Sequence, residues 1–481
     1  MIGPKNTPEP QGVDDLSPFI TAIEMIGRKD LATEVVDEFA KHAQNFGHYD
    51  NIAKCYFNLK QYEKAMKYSE HTLTLAGNPE MMYIARTNLI NVYNHANYPE
   101  KAMRYIVQNE RLIPGDVDNQ LEKAFSYFLL NEKDQAEKIL TDVLTTAPNL
   151  TDETINKIKF NLGTYLLYRD KFQEGMRLFL EEGAKMKVWN TESIFARDNV
   201  IKFDAENNRK GKNTFVKWDG KAYPGKAVVL HAEAGIGDEI INVRFMDKIK
   251  AMGMRPYWYN SYSERKDLLE VFNRNGFETI SSLSQVEEEG EVFYAQSMHI
   301  PIVMGLEYGD LWNGPYLKAD PEYVKGHAIN VQKSNGRKKI AVRWQGNPAY
   351  DHDLHRSFKL KDLYEAVKHI DADFYSIQKD TGLDELKDFP GIIDMSDELN
   401  SWEDTLGALE NMDFVITSCT SVLHASAAIG KKTYAMIPIS AYYVWSHSGK
   451  QSPWYGDHVT ILRQQKPRTW AEPLAELSRI V

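Results

Sequence analysis

A chain of 481 residues, 43% apolar and 26% charged, is long enough for two or three domains with a sizeable core and has an ordinary globular composition. Its formal net charge of -11 argues against unassisted, non-specific binding to nucleic acid or an anionic membrane, because both need a basic face to displace counterions; a local basic groove remains open. No apolar run approaches the ~20 residues of a bilayer span, and the polar start "MIGPKNTPEPQG" reads as neither signal peptide nor anchor. Cys55 and Cys419 stand far apart, without a disulfide framework or a Cys-rich zinc site, so the expectation is a soluble, cytoplasmic protein.

After an N-terminal segment, 1–29, the chain to residue 189 reads as helix after helix and repeats itself. "RKDLA", "KQYEKA", "ANYPEKA", "NEKDQA" and "DKFQEG" end on Ala32, Ala65, Ala102, Ala136 and Gly175, at intervals of 33, 37, 34 and 39. Pro114 and Pro148 each follow a small residue by 12 positions. First-helix segments such as "NIAKCYFNLKQY", "LINVYNHANY" and "NLGTYLLYRDKF" precede the small residues. Small residues at one fixed position let two helices of a hairpin approach closely while aromatics fill the space around them. The period is similar to that of tetratricopeptide repeats, which implies a helical solenoid over 30–189 with a concave surface for a partner peptide or protein.

Residues 190–225, polar and glycine-containing, read as a linker. Short apolar runs then alternate with helical segments in two tandem series, 226–325 and 326–481, separated by a polar break near Asp320–Lys338. The alternation predicts two Rossmann-like α/β domains facing a cleft, with ligands at the carboxyl ends of the strands.

Four stretches carry candidate chemistry. "HAEAGIGDEI", His231–Ile240, has the strand, glycine turn and helix of a phosphate loop, but Asp238 and Glu239 put negative charge where a pyrophosphate would lie. Asp238 therefore reads either as a helix N-cap or as a functional acid, and the two roles do not exclude each other. "DFVITSCTSVLHASAAIG", Asp413–Gly430, runs from a strand into Thr417, Ser418, Thr420 and Ser421 and then into a helix bearing His424, an acid-free helix start that favours a diphosphate. A plain N-cap and a packed histidine are the simpler readings there. In "AVRWQGNPAYDHDLHRSF", Ala341–Phe358, Arg356 offers a bidentate, always-charged fork for phosphate, whereas His352 and His355 read as solvated loop residues without metal-ligand spacing. "SIQKD", Ser376–Asp380, ends a strand and is expected to aim Gln378 and Lys379 into the cleft.

Taken in order, "GIGDEI", "RWQGNPAYDHDLHRSF", "YSIQKD", "TSCTSVLHASAAIGKKT", "PISAYYVW", "SPWYG" and "LRQ" resemble the heptosyltransferase-like proteins of glycosyltransferase family 9, over roughly residues 225–465 and behind tetratricopeptide repeats. The resemblance implies a GT-B fold of two Rossmann-like domains, the first on the acceptor side and the second holding the nucleotide sugar. It implies inverting transfer without an obligatory metal or other cofactor, and a nucleotide-diphosphate sugar as substrate. It makes Asp238 the catalytic base, with Gly235, Ile236, Gly237 and Glu239 in the acceptor-side loop. It places Arg356, Gln378, Lys379, Ser418, Cys419, Thr420, Ser421 and His424 around the donor.

Many members of that family carry an aspartate where this chain has Cys419, so donor contacts made by a carboxylate there do not carry over. Cys419 with His424 as a nucleophile pair lacks a third group in the sequence. Inverting transfer needs a base on one side of the anomeric carbon and a positive or N–H-rich site for the leaving diphosphate on the other. Asp238 in one domain and the Ser/Thr-rich helix start in the other meet that demand. The expected acceptor is a protein or glycan, with a peptide or protein in the repeat groove as a further partner, and net charge disfavours nucleic acid. The other reading is a non-catalytic repeat scaffold with a degenerate nucleotide-sugar-binding module.

Overall fold

A computed structural model describes residues 28–186, 200–203, 209–286, 290–331, 336–348, 350, 352–379 and 381–481. Most of the 1–29 segment, and Asp380, lie outside them. No described helix is long and apolar enough to cross a membrane.

The chain divides into two compact units, Met1–Pro148 with Lys466–Arg468, and Asn149–Gln465 with Thr469–Val481. In the first, α1 (Lys29–Ala40) is followed by three hairpins: α2 (Phe46–Asn58) with α3 (Tyr62–Thr74), α4 (Pro79–His95) with α5 (Pro99–Leu112), and α6 (Val117–Leu129) with α7 (Lys133–Thr146). The periodicity has a local cause. Asn45, Asn78 and Asp116 cap the first helices, each accepting from the N–H three residues on. Lys60, Asn97 and Asn131 take left-handed backbone at the turn, five residues before Ala65, Ala102 and Ala136. Those alanines are fully buried, where a larger side chain would push the paired helices apart. Between hairpins, Phe57, His95 and Phe125 form an edge-to-face ladder with centroids 5.0 and 5.6 Å apart.

The second unit begins with one more hairpin of the same design, α8 (Asp152–Tyr168) and α9 (Phe172–Lys185). Thr151 caps α8, Asp170 takes the left-handed turn, and Gly163 and Gly175 meet so closely that a Cβ on either would lie 2.8 Å from the other's carbonyl oxygen. Two sheets follow. The first holds β1 (Val200–Phe203), β2 (Arg209–Lys217), β3 (Ala227–His231), β4 (Arg255–Tyr259), β5 (Thr279–Ile280) and β6 (Gly290–Gln296) in the order β1-β2-β6-β3-β4-β5. The expected linker 190–225 thus supplies two strands. Polar composition masked both; for β1 the reason is its place at the edge, paired antiparallel to β2 alone, where no apolar run is required, while β2 lies between β1 and β6.

The second sheet holds β7 (Lys338–Arg343), β8 (Ala372–Ser376), β9 (Ile392–Asp394), β10 (Phe414–Ser418), β11 (Thr433–Ile437), β12 (Gln451–Ser452) and β13 (Gly456–Arg463), ordered β12-β13-β11-β10-β7-β8-β9. Apart from β1 and β12 every strand pairs parallel, and β3 and β10 are buried along their whole length, as expected for strands covered on both faces. The flanking helices used below are α10 (Ile236–Val243) after β3 and α11 (Ser421–Ala428) after β10. The fold is a helical-repeat region followed by two Rossmann-like lobes in GT-B arrangement.

Candidate active site

Each sheet reverses strand order beside one central parallel strand. In the first lobe β3 lies between β6 and β4, and in the second β7 lies between β10 and β8. Loops leaving such switch points form the crevice in open α/β sheets. The loop after β3 carries Glu233–Gly235 and leads into α10 with Asp238, the loop after β7 leads to Arg356, and the β10–α11 corner carries Ser418–Ser421. The three come together. A Cβ on Gly237 would lie 2.8 Å from His424 Cδ2 and 3.7 Å from Ser421 Cα, and Arg356 Nη1 donates to the Cys419 carbonyl at 2.8 Å.

Asp238 is 8% exposed. The N-cap of α10 is Gly235, and Asp238 occupies the third helical position, where its Oδ2 accepts from Gly235 N–H at 3.0 Å. The carboxylate thus holds the turn from inside the helix rather than as N-cap, while Ala234, at φ +59°, makes the sharp entry. Tyr443 Oη donates to Oδ1 at 3.4 Å from the other lobe. Burial pushes the Asp238 carboxyl up to about 7, with the Gly235 N–H and Tyr443 opposing and Glu233 adding to the rise. That value suits a group that takes a proton near neutral pH.

Glu239, expected in the acceptor-side loop, turns away into the first lobe. Its Oε2 accepts from Trp258 Nε1 at 3.2 Å and Asn260 Nδ2 at 2.8 Å, and Arg265 stands 3.3 Å from Oε1. Gly237 lies against His424, so its missing side chain serves packing between the lobes. Gly235 is exposed at the turn and Ile236 is partly buried against the core.

In the second lobe, Arg356 is held by Asp353 Oδ1 at 2.9 Å and lies 4.5 Å from the Tyr350 ring centre. Gly346 makes room for it: a Cβ there would stand 2.4 Å from Arg356 Nη2 and 2.3 Å from Asp353 Oδ1. Thr420 is the N-cap of α11 without a side-chain cap bond, and Ser418 Oγ is buried with no hydrogen-bond partner among the described residues. Ser418 is fully buried and Thr420 Oγ1 lies 3.4 Å from Thr417 Oγ1, while the first N–H groups of a helix such as α11 lack intrahelical acceptors and favour an anion. His424 is buried, stacks on Trp445 at 5.4 Å and bonds Tyr455 Oη through Nδ1 at 2.9 Å. Burial, aided by Arg244 and Arg356, pushes it down to about 3, so it is neutral at ordinary pH. Burial pushes the Cys419 thiol up, with Asp238 adding and Arg356 opposing. A thiolate–imidazolium pair needs the opposite shifts, which weighs against a Cys419–His424 nucleophile.

Gln378 and Lys379 do not reach the cleft. Gln378 is fully buried, its Oε1 accepting from Trp344 and Gln345 N–H at 3.2 and 3.1 Å and its Nε2 donating to Gln345 O and Thr381 O at 3.1 and 2.7 Å. Lys379 Nζ is turned onto the Leu399 carbonyl. His355, expected in a solvated loop, is 2% exposed and bonds Ser440 Oγ at 3.0 Å. Among the described residues no group of three or more His, Cys, Asp or Glu is placed to hold a metal ion. Sequence reasoning passed over Tyr443, Asp353 and Glu233. "PISAYYVW" follows β11 at a strand's carboxyl end, which was the available signal for Tyr443.

No family model matches the chain. Protein FlbA of Caulobacter vibrioides is 22% identical over 273 residues, 50% of this chain and 44% of that protein, so the chain spans less than half the length of the curated relative it matches. Among solved structures, a glycosyl transferase family 9 protein from Veillonella parvula covers 51% of this chain and 88% of its own, at 10% identity and a TM-score of 0.35. A mutant O-GlcNAc transferase from Thermobaculum terrenum covers 94% of this chain and 91% of its own, at 12% identity and a TM-score of 0.30. All three are distant likenesses.

Proposed function

We propose that the protein is an inverting glycosyltransferase that moves a sugar from a nucleotide-diphosphate donor to an acceptor hydroxyl. One observation carries the reading: a buried carboxylate held near neutrality in one lobe, Asp238, faces an acid-free helix start and an arginine in the other. Asp238 takes the acceptor proton as the oxygen attacks the anomeric carbon. Arg356, the first N–H groups of α11 and the hydroxyls of Ser418, Thr420 and Ser421 receive the leaving diphosphate, so the charge is met without a metal. His424, being neutral, contributes shape and not charge. The helical repeats present the acceptor or a partner protein.

A screen of UDP-, GDP-, ADP- and CMP-sugars by thermal shift and donor hydrolysis tests the reading. Stabilisation by one nucleotide class, with turnover lost in Asp238→Asn, supports it. No stabilisation by any donor supports a non-catalytic scaffold instead.

A further inference from the structure

The hairpin α8–α9 lies in the same compact unit as Asp238 and touches both lobes. Toward the first lobe, Gln173 Nε2 donates to Pro301 O at 3.3 Å and to Leu306 O, while Tyr308 Oη donates to Leu167 O at 3.4 Å and its ring lies 4.7 Å from Phe172. Toward the second, Tyr168 Oη donates to Ile439 O at 3.2 Å, Ser448 Oγ donates to Asp170 Oδ2 at 2.6 Å, and Phe172 meets Trp454 edge-on at 5.9 Å. Between these anchors sits Phe179, 5% exposed and stacked on Phe160 at 4.8 Å. Its ring lies 6.0 Å from Tyr442 and 5.8 Å from Tyr443.

Tyr443 stands on a single 3-10 turn, Tyr443–Trp445, after β11. So short a turn does not set a side chain's direction by itself, and packing must. Tyr442 meets the ring edge-on at 4.6 Å, Phe179 backs it at 5.8 Å and Trp454 at 5.7 Å, and the phenol is aimed at Asp238. We infer that α8–α9 is a clamp across the two lobes and that, through Phe179, it seats Tyr443 as a positioning residue on the Asp238 carboxylate. The consequence for transfer rests on the proposed role of Asp238, but the positioning stands on the contacts alone. The groups facing that carboxylate are Glu233 from its own loop, Tyr442 and Tyr443 from the turn after β11, and Cys419 from the β10 corner. Of these Tyr443 alone donates to an Asp238 oxygen. A donor to the ionised form lowers the carboxyl's midpoint, so removing it raises that midpoint.

The test uses the full chain with 13C-labelled aspartate carboxyls, the Asp238 signal being assigned by its absence in Asp238→Asn. Tyr443→Phe is expected to raise the midpoint by about one pH unit, and Phe179→Ala, which keeps the phenol but removes its backing, to raise it in the same direction. Phe179→Leu, which fills most of the volume, carries the test where the alanine variant does not fold, with a smaller rise expected. An unmoved midpoint in Tyr443→Phe overturns the positioning role. A shift in Tyr443→Phe but none in either Phe179 variant overturns the clamp's part in it. This readout needs no donor, so its failure is distinct from failure of the transferase reading, which wild-type nucleotide binding and turnover decide.

Discussion

Gly237 and His424 meet across the two lobes with no room for a methyl group, since a Cβ on the glycine would lie 2.8 Å from Cδ2 of the imidazole. The ring has little freedom to yield, because Trp445 stacks on it and Tyr455 holds its Nδ1. Gly237→Ala therefore either displaces a pinned ring or shifts α10 from α11, at a cost of about 1–3 kcal/mol as in other overpacked cores. Thermal melting of Gly237→Ala should fall by several degrees, with donor turnover falling as well. A variant as stable and active as the wild type would show that the lobes are less tightly apposed.

Asp238 gives a pH signature of known sign. Its carboxyl is held at about 7 in the folded chain against an ordinary 3.8, so between those values the folded state keeps a proton that the unfolded state has lost. The stability this contributes is complete below about pH 3.8 and is lost as pH rises toward 7. Asp238→Asn removes the loss, and its stability relative to wild type should rise between pH 5 and pH 8 by on the order of a few kcal/mol. On the proposed transferase reading activity runs the other way: a base works only when ionised, so turnover should climb with pH through a midpoint near 7. In Asp238→Asn turnover should fall by about 100-fold or more while nucleotide affinity holds, as calorimetric titration would register.

Arg356 has two duties that one substitution separates only by readout. Its guanidinium bonds Asp353 and the Cys419 carbonyl, so Arg356→Ala leaves a largely buried carboxylate without its counter-charge, held by Ser357 Oγ at 3.0 Å, and lowers the melting temperature even without ligand. If it also meets the donor diphosphate, nucleoside-diphosphate affinity should drop by about 10–100-fold, the worth of one or two charge-assisted bonds. Arg356→Lys should restore little of it, because a point charge does not replace the planar fork. Lower stability with unchanged affinity would leave Arg356 a structural residue.

The sequence carried the repeats and the strands because both rest on local chemistry. A buried small residue recurs where hairpin helices touch, and parallel strands covered on two faces read as unbroken apolar runs such as "AVVL" and "FVI". Direction was harder to read than position. Gln378 follows a strand as expected, yet its amide is consumed in tying Trp344 and Gln345, and nothing in "SIQKD" announces those partners. His424 lies one turn into α11, but its helix face points it at Trp445 and Tyr455. Tyr443 meets Asp238 across 205 residues of chain, a pairing that only the tertiary fold creates. The two strands in 190–225 lie in polar sequence: β1 is an edge strand, β2 joins it to β6, and "NRKGKNTFVK" shows no apolar run until Phe215.

The boundary between repeats and lobes yields the last prediction. By sequence α8–α9 is another repeat, with the same cap, turn and small residue, whereas by packing it belongs to the lobes. Leu167, Phe172, Met176, Phe179 and Leu180 sit in one core with Ile240, Trp454 and Tyr443. At about 1.5–3 kcal/mol for each large apolar side chain buried, these five contribute roughly 8–15 kcal/mol as an upper bound, comparable to the about 5–15 kcal/mol that holds a typical domain folded. A chain beginning at residue 149 should therefore melt cooperatively, whereas one beginning at residue 187 should be insoluble or molten. Expression of both fragments, followed by near-ultraviolet circular dichroism and calorimetry, checks this. A folded 187–481 fragment would show that the lobes close their core without the hairpin, and would make α8–α9 an ordinary terminal repeat.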